Sequence, residues 1–259
     1  MPTHIGASAS LSAQGGDASV GTGARPLASA TGRRSRLRIG HAATTLLLSS
    51  GLRKLTVAEI AAEAGVGKGT MYLYWPSKEK LFADLLVGEA RDSLDEVLAL
   101  VGDVSGQLTI GGLARLVTAS VTRRPLMRYM LGHTDADLDR LLADRALFDG
   151  DLRATDPKVL CLALLPALRQ HGLVRIDGAA SDQAFTLNAV LLGFVASVVS
   201  VDRDGAPDAR FGELLESTVD TLFGPSTPPA PQDIEEAGKA VARILTDLRD
   251  KLAEDESSS

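Results

Sequence analysis

LTVAEIAAEAGVGKGTMYLYWPSKEK, residues 55–80, is the stretch around which the rest of the chain is arranged. Thr56 followed by Glu59 forms a T-x-x-E capping box, which satisfies two amide donors at a helix start. Val57, Ile60, Ala61 and Ala64 then fall on one helical face. Ala61 and Ala64 are small enough for a second helix to cross closely. Gly65 supplies a turn at positive φ. A further helix is predicted over residues 66–75, stopped by Pro76, and Ser77 caps the next one. Helix, tight turn, helix is the shape that lays its second helix in the major groove of DNA.

Upstream, Ile39, Ala42, Ala43, Leu46 and Leu47 give residues 36–50 one apolar face, and Gly51 stands where a C′ glycine ends a helix. Residues 1–32 are Ala, Ser, Gly and Thr with hardly a large apolar side chain, so a disordered tail is expected. GRRSRLR, residues 32–38, reads either as a solvated helix start or as an arm that touches phosphates.

Downstream, Leu81, Phe82, Leu85, Leu86, Ala90, Leu94, Val97 and Val101 extend the helix capped by Ser77 far past the motif. More helices are predicted over 111–129 (interrupted at Pro125), 135–148, 158–171, 182–201 and 210–223. Asp156 and Pro157 open the 158–171 segment, and Gly172 closes it. In 210–223 the expected inward residues are Phe211, Leu214, Leu215, Val219 and Leu222. GPSTPPAPQ, residues 224–232, is a proline-rich linker to an amphipathic helix at 234–253, followed by a polar tail. The predicted fold class is all-α, a three-helix DNA-binding head on a larger helical body. Its expected divisions are 1–32, 33–80, 81–224 and 225–259.

The net charge of −6 averages two unlike parts. Residues 33–91 carry ten Lys or Arg against five Asp or Glu, whereas residues 92–259 carry sixteen against twenty-seven. A basic segment on an acidic body suits one end meeting a polyanion. Cys161 is the single cysteine, so no intramolecular disulfide can form, and a reducing, cytoplasmic setting is expected. The longest apolar run, residues 189–201, is shorter than the roughly 20 residues a spanning helix needs, so no membrane partner is expected.

The stretch TVAEIAAEAGVGKGTMYLYWPSKEKL resembles the N-terminal domain of tetracycline-repressor (TetR) family regulators. Met71 stands where the family usually has leucine, Trp75 for phenylalanine, and Gly67 for a frequent serine, which removes one helix cap. The resemblance covers residues 36–86. It implies an all-α homodimer with DNA-reading heads, a ligand pocket in the body, and two late helices, here 182–201 and 210–223, packed against their symmetry mates. It places Lys68, Thr70 and Tyr72 in or over the major groove. Tyr74, Lys78 and Thr56 would reach phosphates, and Gly69 would allow close approach. Met127, Tyr129, Met130, His133, Phe148 and Cys161 lie where family pockets form, and Arg123 or Arg124 would meet an anionic ligand unless they are solvated surface.

GVGKGT, residues 65–70, looks like a phosphate loop but lacks its first glycine and its preceding strand. His41, His133 and His171 are scattered, and no metal, cofactor or catalytic set is expected. The leading expectation is a regulator, a repressor that binds a palindromic operator in double-stranded DNA as a dimer and is released by a small-molecule effector. The alternatives are a constitutive architectural DNA-binding factor, and a regulator that recruits another protein through the 234–253 helix.

Overall fold

The computed structural model describes residues 30–103, 105–132, 136–148, 156–201 and 209–252. Eleven α-helices and no strand occur among the described residues. The head comprises α1 (Ala30–Ser50), α2 (Val57–Glu63), α3 (Lys68–Tyr72) and the start of α4 (Lys78–Asp103). The body adds α5 (Ile110–Thr122), α6 (Pro125–Gly132), α7 (Ala136–Ala143), α8 (Pro157–Gln170), α9 (Ala180–Val201), α10 (Ala209–Phe223) and α11 (Pro231–Lys251).

Several boundaries differ from those predicted. Residues 30–32 of the expected tail already belong to α1, with Gly32 buried; residues 1–29 lie outside the described set. The recognition helix is five residues rather than ten, and Gly67 at its N-cap makes no side-chain hydrogen bond to its first turn. Beyond Tyr72 the chain stays wound by bonds from Tyr74 N and Trp75 N to Met71 O, up to Pro76. The last helix starts earlier than predicted, at Pro231, since proline at a first helical position loses no hydrogen bond.

Two apolar cores meet along α4. Ile39, Leu47, Ile60, Met71, Trp75 and Phe82 form the head core, and Leu126 and Tyr129 of α6 and Leu138 and Leu141 of α7 join it. The far half of α4 packs in a second core with α5, α8, α9, α10 and α11. The helix α6 therefore bridges the two cores, with Leu126 and Tyr129 in the head core and Met127 against the body core.

Backbone contact is closest between α5 and α10. A side chain at Gly111 would collide with the Glu216 carbonyl, so only glycine allows this approach. Asp220 exploits it, accepting from the Gly111 amide (2.8 Å) and the Thr109 hydroxyl (3.1 Å) at the start of α5.

The helix α9 is long and apolar enough over 180–199 to cross a membrane by length and composition alone. Its inner face, with Ala184, Leu187, Val195 and Val198, is buried within the fold. Phe185 is 70% and Leu192 42% exposed on the other side. On α10, Leu214 (47% exposed) and Leu222 (46%) face outward, contrary to the inward positions predicted for them. The buried arc of α10 is narrower than its apolar stripe, so Leu215, Val219 and Phe223 fill it.

The 234–253 stripe is covered by its own chain. Ala237, Val241 and Leu245 are fully buried, and α11 packs on α4 and α8. Arg249 reaches Asp95 at 3.2 Å and Arg91 donates to the Leu252 carbonyl at 3.2 Å. The apolar face of this helix is thus taken up by packing within the chain.

Candidate nucleic-acid interface and body cavity

The helix–turn–helix is built by local chemistry. Thr56 Oγ1 accepts from the Glu59 amide (3.3 Å), and Glu59 Oε2 accepts from the Thr56 amide (2.9 Å) and hydroxyl (2.7 Å). These bonds, the side-chain one foremost, hold the Glu59 carboxyl below its ordinary range. Ala61 and Ala64 are both buried. Gly65 takes φ +61°, and the guanidinium of Arg38 lies where its side chain would be. Arg38 donates to the carbonyls of Ala64 and Gly65, covering acceptors that α2 leaves unpaired at its end.

Trp75 closes the head. Its ring is buried, its Nε1 donates to Asp84 Oδ2 at 2.8 Å, and the Arg36 guanidinium stands over it at 5.2 Å. Arg36 and Arg38 of the GRRSRLR stretch therefore brace the motif from behind. Arg33 and Arg34 are exposed, one turn earlier in α1. Sequence reasoning missed the bracing because its partners lie 26 to 39 residues away; only the arginine density marked the stretch.

The sequence-predicted DNA residues separate into two groups. Lys68, Gly69 and Tyr72 are exposed on α3, with Tyr72 55% exposed and no protein atom within 4 Å of where a side chain at Gly69 would begin. Thr70 is half-buried between them, and Thr56 is exposed at the α2 start. Tyr74 is half-buried beside Trp75, with ring centroids 5.7 Å apart, and packs on the head core. Lys78 turns inward: its Nζ donates to the carbonyls of Leu52 (3.1 Å) and Leu55 (2.7 Å), tying the α1–α2 connection to α4. Exposed Arg53 and Lys54 lie in that connection, and exposed Leu73 follows Tyr72.

The body holds a cavity of about 320 Å³ between α5, α6, α7, α8 and α9. Met127 and Met130 line it from α6, with Val117 and Val121 on α5. Thr118 and Asp156 are its polar wall residues, and neither stood among the sequence candidates. Cys161 borders a separate, smaller void. Phe148 packs against both cores and lines neither cavity, and His133 lies outside the described residues. Tyr129 is buried under the head instead. Arg123 and Arg124 both bond Glu96 on α4, which removes them as free receptors for an anionic ligand.

One bond set ties the cavity to the head. Glu89 Oε2, on α4, accepts from the amides of Leu126 and Met127, each at 3.0 Å, at the start of α6. Burial raises the Glu89 carboxyl above its ordinary range, the amide bonds opposing it. The residue that lines the cavity thus hangs, through its own backbone, on the helix that begins in the head.

Residues 39–85 match the family described as bacterial regulatory proteins, tetR family. Over 60 residues the chain is 38% identical to an uncharacterized HTH-type transcriptional regulator of Mycobacterium tuberculosis; the match spans 23% of this chain and 32% of that relative's length. It is 27% identical over 161 residues to the nucleoid occlusion factor SlmA of Citrobacter koseri, covering 52% of this chain and 80% of that one. Among solved structures, the SmeT–triclosan complex superposes with a TM-score of 0.54 at 19% identity, covering 76% of this chain and 97% of that chain. SmeT, described as the repressor of the Stenotrophomonas maltophilia multidrug efflux pump SmeDEF, gives 0.51 at 19% identity over 76% and 96%. At these identities the structural likeness is one of fold.

Proposed function

We propose the following function for this chain, which belongs to the tetR family of bacterial regulators and is a DNA-binding transcriptional regulator: it represses transcription from a palindromic operator as a dimer, and a small molecule entering the body cavity releases it. The α3 surface supports the DNA part. Lys68 is suited to a guanine edge or a phosphate, Thr70 and Tyr72 to phosphates, and Gly69 to close approach. Thr56 and the backbone amides at the start of α4 would flank them, with Lys78 acting as a brace and Tyr74 as packing. The domain reading becomes a head reaching through the first turns of α4, a ligand and dimer body to residue 224, and a C-terminal helix strapped to it.

The exposed apolar faces of α9 and α10 support the dimer. Phe185, Leu192, Leu214 and Leu222 leave water if two copies pair there, and a twofold arrangement suits a palindrome. The Glu89 link carries the effector part. A molecule that wedges between α6 and α9 shifts α6, and α6 pulls α4, so ligand and DNA affinity are coupled through one helix.

Recovery of bound genomic fragments followed by gel shifts tests this reading. Wild-type protein should retard a palindromic fragment, and Tyr72→Ala should abolish the shift while leaving the dimer folded. Retained binding by Tyr72→Ala would exclude α3 as the reading helix. The likeness to a nucleoid occlusion factor favours one second reading, a chromosome-binding role without an effector. Sites scattered along the chromosome away from promoters, with affinity unchanged across a metabolite screen, would select it.

A further inference from the structure

Beside the cavity lies a smaller void with chemistry of its own. A pouch of about 50 Å³ shares Val117, Pro157, Leu160 and Leu191 with the main chamber. Leu113, Leu168, Leu187 and Cys161, all buried, complete much of its wall. No wall side chain carries a polar group stronger than the Cys161 thiol. A void of this kind stays dry, and the atoms around it forgo contacts that a hydrocarbon would supply.

The main chamber differs. It carries the Thr118 hydroxyl and, at a solvent-exposed position on its rim, the Asp156 carboxylate, and no Lys, Arg or His stands among its described wall residues. Asp156 Oδ1 accepts from the Lys158 amide at 2.8 Å, so its place is fixed by capping α8. Its field reaches the pouch: burial first, and the Asp156 charge after it, push the Cys161 thiol up to about 11. An anionic group in the chamber would meet a like charge at the rim and, among the described wall residues, no cation to balance it.

We propose that the effector is an elongated apolar molecule without an anionic group, whose hydrocarbon end fills the pouch beside Cys161 while its polar end stays by Thr118 and Asp156. This rests on reading the cavity as the effector site. The pouch sets a preferred chain length, and Asp156 sets the sign of charge that is refused.

Calorimetry on the full chain with two homologous series, n-alkyltrimethylammonium ions and n-alkyl carboxylates below their micellar concentrations, tests the proposal. Affinity for the ammonium series should rise with each added carbon until the pouch is full. Carboxylates of equal length should bind at least tenfold more weakly. Asp156→Asn, which keeps a helix-capping side chain, should narrow that gap. Cys161→Phe should remove the gain from the last carbons and spare short-chain binding. Ala114→Leu, at a second buried position of the pouch wall, repeats that test should Cys161→Phe fail to fold. Carboxylates that bind as tightly as the cations, a chain-length profile unchanged in both filling variants, or no binding of either series would overturn the assignment. Ligands that bind as described but leave affinity for the recovered DNA unchanged would uphold the ligand class and overturn the effector reading.

Discussion

The Arg36 guanidinium lies over the Trp75 ring, 5.2 Å from its centroid, while the same indole donates to Asp84 at 2.8 Å. One buried side chain thereby joins α1 to α4 immediately behind the recognition helix. Trp75→Phe keeps the ring but loses the donor, and phenylalanine is the weaker cation acceptor. The head should lose about 1–2 kcal/mol, from one hydrogen bond and part of a cation–π contact. Denaturant titration followed by circular dichroism reads this directly. Operator affinity should fall less than threefold, because no DNA contact is removed. A loss greater than tenfold would mean that the indole also sets the angle of α3.

The oligomer is open to a direct test. Phe185→Asp and Leu214→Asp each place a charge on an exposed apolar face that the fold itself does not bury. Each variant should fold with unchanged helicity and sediment as a monomer at micromolar concentration. Operator affinity should drop roughly a hundredfold or more, since the two heads would no longer bind as one unit. A dimer that survives both substitutions would move the interface elsewhere.

Glu89 predicts a pH dependence. Its folded-state pKa is raised, so the folded protein holds a proton at Glu89 more readily than the unfolded chain does. Stability from this group therefore rises as pH falls through the folded-state value, and levels off below the unfolded one. Glu89→Gln retains an acceptor for the Leu126 and Met127 amides without a charge to bury. Melting temperatures of the two proteins should converge as pH falls from 7 towards 4. Parallel curves across that range would remove Glu89 as the titrating group.

The C-terminal helix should be structural. Leu245 is fully buried between α11 and its neighbours, and Leu245→Ala should cost about 2–5 kcal/mol in chemical unfolding. Deleting residues 225–259 should lower the melting temperature further and expose the flank of α4. A deletion variant as stable as the full chain would contradict the packing described for α11.

What could be read from the sequence follows the range of the interactions. The Thr56–Glu59 box, the Gly65 turn and the small pair Ala61 and Ala64 are short-range devices, and each stands where it was predicted. Lys78 was out of reach, because its inward turn depends on carbonyls 23 and 26 residues earlier. The same holds for Arg36 and Arg38. Leu214 and Leu222 belong to an apolar stripe of which the fold buries only part, and periodicity does not say which part. In the cavity, Met127 and Met130 were placed by helix membership. Asp156 was legible only as a helix cap, since its second position on the chamber wall requires α5, α6 and α9 to be brought beside it.

The strap of α11 along α4 has a practical consequence. Arg249 holds Asp95 and Arg91 holds Leu252, so a rotation of α4 carries the end of the chain with it. A helix of 26 residues is roughly 39 Å long, and a tilt of about 5° moves its far end by about 3 Å. A C-terminal helix that followed α4 in such a tilt would act as a pointer for it. A fluorophore attached to an exposed position of α11 and paired with one on α9 becomes an optical gauge of that tilt, a sensor that needs neither DNA nor a reporter gene.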